Sequence, residues 1–291
     1  MTAPYSPDQW RALGQDHTLL GRRLFCVDLQ RGPGTPILVL HGFPTCGWDW
    51  APIADALAAG RRLIVPDLLG YGFSQKPRGP YTLSEQADLV LALLRALGLH
   101  EQQIDLVSHD MGDTVATELL ARRRASGTGP RIRRVAMLNG GILPELHRPR
   151  RIQTLLRSPL APLVVALMTR RSFGTAFAEV FGPKTQPTAA ELDQHWALLG
   201  RDAGLANYPQ LIGYMAERVA HRARWVPALT ALDLPLLLVW GDADPVAVWR
   251  IAEEIQRLRP ATEVVRLQGI GHYPQLEAPG AVTAALLHFL G

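Results

Sequence analysis

The feature that most limits how this chain can fold is the stretch Gln103-Ile-Asp-Leu-Val-Ser-His-Asp-Met-Gly-Asp-Thr-Val-Ala-Thr-Glu-Leu-Leu120. Ile104 to Val107 is a largely apolar, β-branched run, the mark of a buried strand. Thr114 to Leu120 carries apolar side chains at helical spacing. Between them lies Ser108-His109-Asp110-Met111-Gly112, with small residues two before and two after Asp110. A strand that turns this sharply into a helix strains its apex residue and exposes the apex side chain. The neighbours must be small so that the backbones can pass, which is the physics of a nucleophile elbow, usually built as G-x-S-x-G. Here the apex is an aspartate. A carboxylate in that place attacks carbon and forms an ester, and the attack itself needs no base. An ordinary strand-turn-helix junction with a surface aspartate would read the same locally, so the rest of the chain must decide.

At 291 residues the chain suits one α/β domain with an inserted subdomain better than two independent domains. Hydrophobic residues make up 47% and charged residues 19%, enough for a large core and against disorder. Cys26 and Cys46 cannot make a disulfide framework and carry no metal-ligand spacing; free thiols point to a reducing compartment. Met1 to Arg22 has no basic-then-apolar signal pattern. The longest apolar run, Leu160 to Met168, is about half the roughly 18 to 20 residues that a bilayer span requires. A soluble cytoplasmic protein without a transmembrane segment is expected. The net charge of +4 comes mostly through arginine, clustered at Arg122 to Arg124, Arg131 to Arg134, Arg148 to Arg151 and Arg218 to Arg224. Basic patches can serve nucleic acid or anionic membrane. With no aromatic-interleaved motif beside them, these read as solvated surface, and no nucleic-acid partner is expected.

Along the chain, Leu24 to Leu29 and Thr35 to Leu40 read as strands, the second buried on both faces. It ends in His41-Gly42-Phe43-Pro44, a tight turn able to aim the Phe43 N–H at a developing oxyanion. Arg62 to Pro66 is the next strand. The Gly-rich loop after it, Asp67 to Ser74, lacks both the Lys-Ser/Thr ending of a P-loop and G-x-G-x-x-G spacing, so it reads as structural. Thr82 or Ser84 caps a helix to about Leu97. After the elbow, Arg134 to Leu138 is a strand broken by Asn139-Gly140-Gly141. From Ile142 to about Pro227 strand signals vanish, and short helical pieces alternate with prolines, as in a helical lid. Strands return at Leu236 to Trp240 and Thr262 to Leu267, each followed by a helix.

Strands alternating with helices imply a doubly wound, mostly parallel sheet. Asp110, Asp244 and His272 each fall just past the carboxyl end of a strand, the edge where such folds place chemistry. Their chain order, nucleophile then acid then histidine, is that of an α/β-hydrolase. Taken singly, Asp244 before Pro245 reads as a helix cap and His272 as a surface histidine; the joint pattern favours a triad.

With these residues in view, the sequence resembles the epoxide hydrolase and haloalkane dehalogenase branch of the α/β-hydrolase superfamily. The resemblance rests on His41-Gly-Phe-Pro44 with Trp48, Asp67-Leu-Leu-Gly-Tyr-Gly-Phe-Ser74, Ser108-His-Asp-Met-Gly112, Gly241-Asp-Ala-Asp-Pro245 and Gly271-His272. The lid resembles that of mesoderm-specific transcript proteins, through Leu138-Asn-Gly-Gly-Ile-Leu-Pro-Glu-Leu-His-Arg-Pro149, Phe181-Gly-Pro183, Arg224-Trp-Val-Pro-Ala-Leu229 and His272-Tyr-Pro-Gln-Leu-Glu277. It implies an α/β-hydrolase core at residues 1–141 and 228–291 with a helical cap at 142–227. It also implies roles: Asp110 forms an alkyl-enzyme ester, His272 oriented by Asp244 activates water, and the N–H groups of Phe43 and Met111 hold the oxyanion. Dehalogenases of the branch carry a tryptophan after the nucleophile, whereas this chain has Met111, which offers no N–H. Tyr214 matches the second lid tyrosine of the epoxide hydrolases. The first has no counterpart, and Tyr208 is a positional substitute.

The expected activity is therefore epoxide hydrolysis of a small apolar substrate, with no cofactor and no metal. The alternatives are a haloalkane dehalogenase or other hydrolase of the branch, and a non-catalytic binding or signalling protein on the same scaffold. His109 is expected to be buried scaffold, Asp113 to serve the helix N-terminus, and Asn139 not to replace Asp244.

Overall fold

The computed structural model describes residues 4–127 and 129–291. Its sheet has eight strands: β1 (Gly14–Leu19), β2 (Arg22–Gln30), β3 (Gly34–Leu40), β4 (Arg61–Pro66), β5 (Gln103–His109), β6 (Arg131–Leu138), β7 (Leu236–Gly241) and β8 (Glu263–Leu267). Their spatial order is β1-β2-β4-β3-β5-β6-β7-β8. β2 runs antiparallel to β1 and β4, and every other pairing is parallel. β1 was not anticipated. Its polar residues, Gln15 to Thr18, give no apolar alternation, because an edge strand needs little to bury. It pairs with β2 through the two-residue loop Leu20-Gly21, where both residues have positive φ, the geometry that matches strand twist in a hairpin.

The core helices are α1 (Pro7–Ala12), α2 (Ala51–Ala58), α3 (Leu83–Ala96) and α4 (Met111–Ser126). Thr82 caps α3 by accepting from the Glu85 N–H. Between β6 and β7 the chain leaves the sheet as seven short helices and a 3-10 segment, with no strand. They are α5 (Arg151–Leu156), α6 (Ala161–Ala166), α7 (Arg170–Ala178), α8 (Ala189–Gly200), α9 (Tyr208–Leu211), α10 (Tyr214–Ala220) and α11 (Arg222–Thr230). Capping boxes at Thr169/Ser172 and Thr188/Glu191 start α7 and α8. The last of the inserted helices, α11, continues through Pro227 to Thr230. Helices α12 (Arg250–Leu258), α13 (Pro274–Glu277) and α14 (Pro279–Leu290) complete the fold.

Met111 to Ala121 are all buried, so this part of α4 is enclosed rather than half-solvated, and only its last turn reaches solvent. α3 and α11 pack against it. The link to α11 is polar: Glu118 accepts from Arg122 Nε, Arg224 Nε and Trp225 Nε1 at 2.7–2.8 Å. Burial opposes ionisation of Glu118, yet these donors hold its carboxyl at about 2. Two of the arginine clusters read as solvated surface therefore contribute to the joint between inserted helices and core. Among the described residues, no helix is long and apolar enough to cross a membrane.

Candidate active site

At the β5–α4 turn, Asp110 sits at φ 48°, ψ −110°. A non-glycine residue holds such a backbone only when its surroundings over-determine it, at a cost of roughly 1–3 kcal/mol. The Asp110 N–H bonds the Leu138 carbonyl, and the Asp113 N–H bonds the Asp110 carbonyl, both at 3.1 Å. Glycines make room. A Cβ on Gly42 would lie 2.7 Å from Asp110 Cβ, and one on Gly112 would lie 2.6 Å from the main-chain oxygens of both Leu40 and His41. Gly112→Ala is expected to cost at least the ~1–3 kcal/mol typical of overpacking, since backbone rather than a side chain must yield. Denaturant unfolding would measure it, and an unchanged midpoint would contradict this close approach.

The Asp110 carboxylate is 2% exposed and meets two donors. The Phe43 N–H reaches Oδ2 at 3.1 Å. Arg218 lies on the other side, its Nη2 2.8 Å from the Asp110 carbonyl oxygen and 3.4 Å from Oδ1, while its Nε donates to Thr114 Oγ1 at 2.8 Å. Burial would raise the Asp110 pKa, but the positive charge of Arg218, then that of His272, holds it below the usual carboxylate value. Arg218 belongs to a basic cluster expected to be solvated, yet its side chain is 2% exposed, because it pairs with the Asp110 turn rather than with water. The signal available was its spacing of four from Tyr214 on one helix, and the guanidinium does lie 4.7 Å from the Tyr214 ring centre.

His272 Nδ1 contacts Asp244 Oδ2 at 2.7 Å. Asp244 is itself held: Oδ1 accepts from the Val246 and Ala247 N–H groups, and Oδ2 accepts from Asn139 Nδ2 at 2.8 Å. Asn139 Oδ1 in turn accepts from the Gly241 N–H at 2.8 Å. Asn139 thus aims the acid rather than standing in for it, a role that sequence reasoning missed. Burial would lower the His272 pKa, but the charge of Asp244, its hydrogen bond and the charge of Asp110 overcome this and lift it to about 9.

Neighbouring groups form scaffold. His109 donates from Nε2 to the His272 carbonyl at 2.7 Å, and burial pushes it to about 3, so it stays neutral. Asp113 accepts from Ser108 Oγ at 2.6 Å, and burial raises its pKa well above the usual carboxylate value. His41 Nε2 accepts from the Leu68 N–H at 2.9 Å, tying the 41–44 turn to the Gly-rich loop. That loop closes on Asp67, which accepts from the Gly47 and Phe73 N–H groups at 2.7 Å. Among the described residues, no group of three or more His, Cys, Asp or Glu is placed to hold a metal ion.

A cavity of about 320 Å³ lies between the sheet edge and the inserted helices, lined by Phe43, Tyr208 and His272 and by apolar residues including Leu156, Val164 and Phe177. Tyr208 donates to the Pro44 carbonyl at 3.2 Å. Asp110 and Tyr214 are not among the residues on its wall, but Phe43, whose N–H bonds the Asp110 carboxylate, is. Tyr214 is fully buried, its ring 5.7 Å from that of Phe43, and its hydroxyl has no partner. Burial first, and then the charge of Asp110, raises its pKa. Met111 heads α4 directly after Asp110, and its sulfur accepts from the Tyr71 hydroxyl at 3.2 Å.

The pattern of the alpha/beta hydrolase fold family matches residues 35–279. The chain is 39% identical to the mesoderm-specific transcript protein of Mus musculus over 290 residues, 97% of this chain and 87% of that protein. It is 29% identical to haloalkane dehalogenase 2 of Mycobacterium tuberculosis (strain ATCC 25618 / H37Rv), covering 92% of each. The structure of the epoxide hydrolase CorEH superposes with a TM-score of 0.76 over 95% of this chain and 97% of that one, at 19% identity, a likeness of fold.

Proposed function

The chain belongs to the alpha/beta hydrolase fold family, and we propose that it is an epoxide hydrolase, forming a vicinal diol through an ester on Asp110. One observation carries the reading. The elbow holds a buried, ionised carboxylate, bonded by a main-chain N–H, beside a histidine that is paired with a second aspartate.

In the first step an Asp110 oxygen attacks an epoxide carbon, the ring C–O bond breaks, and the new alkoxide takes a proton from a lid phenol. Tyr214 serves as that acid, with Tyr208 as the second lid phenol. In the next step His272 Nε2 takes a proton from water as its oxygen attacks Asp110 Cγ. The N–H groups of Phe43 and Met111 hold the oxyanion, and the diol oxygen leaves with the proton from His272. The proton left on the regenerated Asp110 carboxyl returns to the phenolate, so that the net change is one water added across the epoxide. At a pKa of about 9, His272 carries a proton in the free enzyme at neutral pH. Attack by a carboxylate needs no base, so this proton does no harm. Esterification then removes the Asp110 charge that helped hold it, so the His272 pKa falls and the ring can release that proton and stand ready to accept one from water.

The helices of residues 142–227 act as a lid whose apolar cavity suits an apolar substrate. Two buried free cysteines fit a cytoplasmic setting. Neither Met111 nor Phe43 offers a side-chain N–H to a departing halide, which favours an epoxide. The 29% identity to a haloalkane dehalogenase supports the second reading. A complete triad speaks against a non-catalytic scaffold protein.

A panel of epoxides and haloalkanes, read by diol and by halide release, separates the readings. Halide release without diol would replace the epoxide assignment. Tyr214→Phe is expected to lower kcat/KM on an epoxide by roughly 10²- to 10⁴-fold, as for loss of a general acid, and to affect a haloalkane much less. Full epoxide activity in that variant would remove Tyr214 from the acid role.

A further inference from the structure

Seven large hydrophobic side chains are exposed among the described residues, and four of them lie on the stretch from α5 to just beyond α6: Leu155 at 42%, Leu160 at 57%, Leu163 at 56% and Leu167 at 68%. Single exposed leucines need no explanation, but clustering does. Leu160, Leu163 and Leu167 are spaced three and four apart, one stripe of a helix. α5, which carries Leu155, packs against α6. The inner side of α6 is already occupied, since Ala161 is buried and Val164 and Met168 pack on the core. Val164, Leu167 and Met168 also line the cavity. Leu160 and Leu163 thus stand on the outer face of the cavity wall, and Leu167 stands at its mouth.

Unpaired positive charge borders this face. A surface depression joins Leu155 to Arg151 and Arg171, and it shares Arg150, Ile152, Ser172 and Ala176 with the cavity. The single carboxylate on its rim, Glu179, is bound by Arg150 at 2.6 Å. Arg151, Arg171 and the exposed Arg157, which follows α5, have no carboxylate partner among the described residues.

We propose that the outer face of α5 and α6 docks on an anionic lipid bilayer. The leucines enter the interface, and Arg151, Arg157 and Arg171 meet lipid phosphates. Apolar side chains rimmed by arginine are the chemistry of interfacial binding, in which buried apolar area and attraction to anionic headgroups add together. A second copy of the chain fits this face poorly, because a two-fold contact would set these arginines against their own kind. Docking puts the cavity wall at the lipid surface, so an apolar substrate can enter directly from the bilayer. That last clause rests on the hydrolase reading, whereas docking itself does not.

The test is co-sedimentation of the full chain with vesicles of phosphatidylcholine, with and without phosphatidylglycerol. It needs no turnover and so stands or falls apart from the hydrolase reading. Binding to the anionic vesicles that weakens with salt is expected. Leu160→Asp with Leu163→Asp should reduce it more than ~10-fold, and Arg151→Gln with Arg171→Gln about fivefold per arginine. All four positions are exposed or on the rim, so melting temperatures should be retained. Failure of the wild type to bind anionic vesicles overturns the proposal, as does unaltered binding of both double variants. Equal binding to neutral vesicles overturns the anionic assignment. A wild-type dimer that the leucine variant turns into a monomer, without vesicle binding, would make the face a contact between copies and overturn the proposal as well.

Discussion

His272→Gln should stop turnover at the ester and leave a covalent adduct on Asp110. Glutamine keeps a polar group beside Asp244 but cannot take a proton from water. The carboxylate needs no base to attack, since Arg218 and the Phe43 N–H already hold it ionised and aimed. Steady-state turnover should fall about 10³- to 10⁴-fold or more, as when a triad base is lost. Intact-protein and peptide mass spectrometry should find Asp110 heavier by the mass of the epoxide. If the variant carries no adduct with an epoxide that the wild type turns over, the two-step mechanism is wrong.

Arg218→Met carries the second large effect. In the folded protein Arg218 supplies the strongest charge lowering the Asp110 pKa, a donor to the Asp110 carbonyl and a donor to Thr114. Methionine fills similar space and leaves a buried carboxylate with one donor fewer. Removing one partner of a buried pair typically costs about 3–5 kcal/mol. The sign with pH follows from the depressed pKa of Asp110. Stability from the pair is present above the unfolded carboxylate value and is lost as pH falls through the lower folded value. The deficit of the variant should therefore be largest near neutral pH and shrink in acid, as read by denaturant unfolding at both. The pH profile of adduct formation should respond too. Without the guanidinium the Asp110 pKa rises, and the acid limb moves to higher pH. A variant as stable as the wild type, with the acid limb unmoved, would show that Arg218 is packing alone.

The sheet was legible because its strands carry their own signal. Thr35 to Leu40, Ile104 to Val107 and Leu236 to Trp240 are short, largely apolar runs rich in β-branched or leucine side chains, as in strands covered on both faces, and β3, β5 and β7 run through them. β1 was not legible, since an edge strand of polar residues looks like loop until a partner lies beside it. The candidate site divides in the same way. Asp110, Asp244 and His272 stand out because each follows a strand and chain order then places them on one edge. Arg218 and Glu118 carry no such mark, and Asn139, which does follow a strand, gives no sign of which partner it will brace.

The difference is one of range. Strand periodicity, capping by Thr82 and the small residues around Asp110 depend on neighbours a few positions away, and the chain states them directly. Whether an arginine is solvated surface or the counter-ion of a buried carboxylate depends on a partner 108 positions distant. Arg218 looks from its own helix like any other member of a basic cluster. Asn139 likewise becomes the brace of Asp244 only once β6 and β7 lie side by side. Local sequence determines where strands, turns and strained apices form. Which charges end up buried together, and so which carboxylate stays ionised out of water, is decided only by tertiary packing, because desolvation and pairing are properties of the assembled interior.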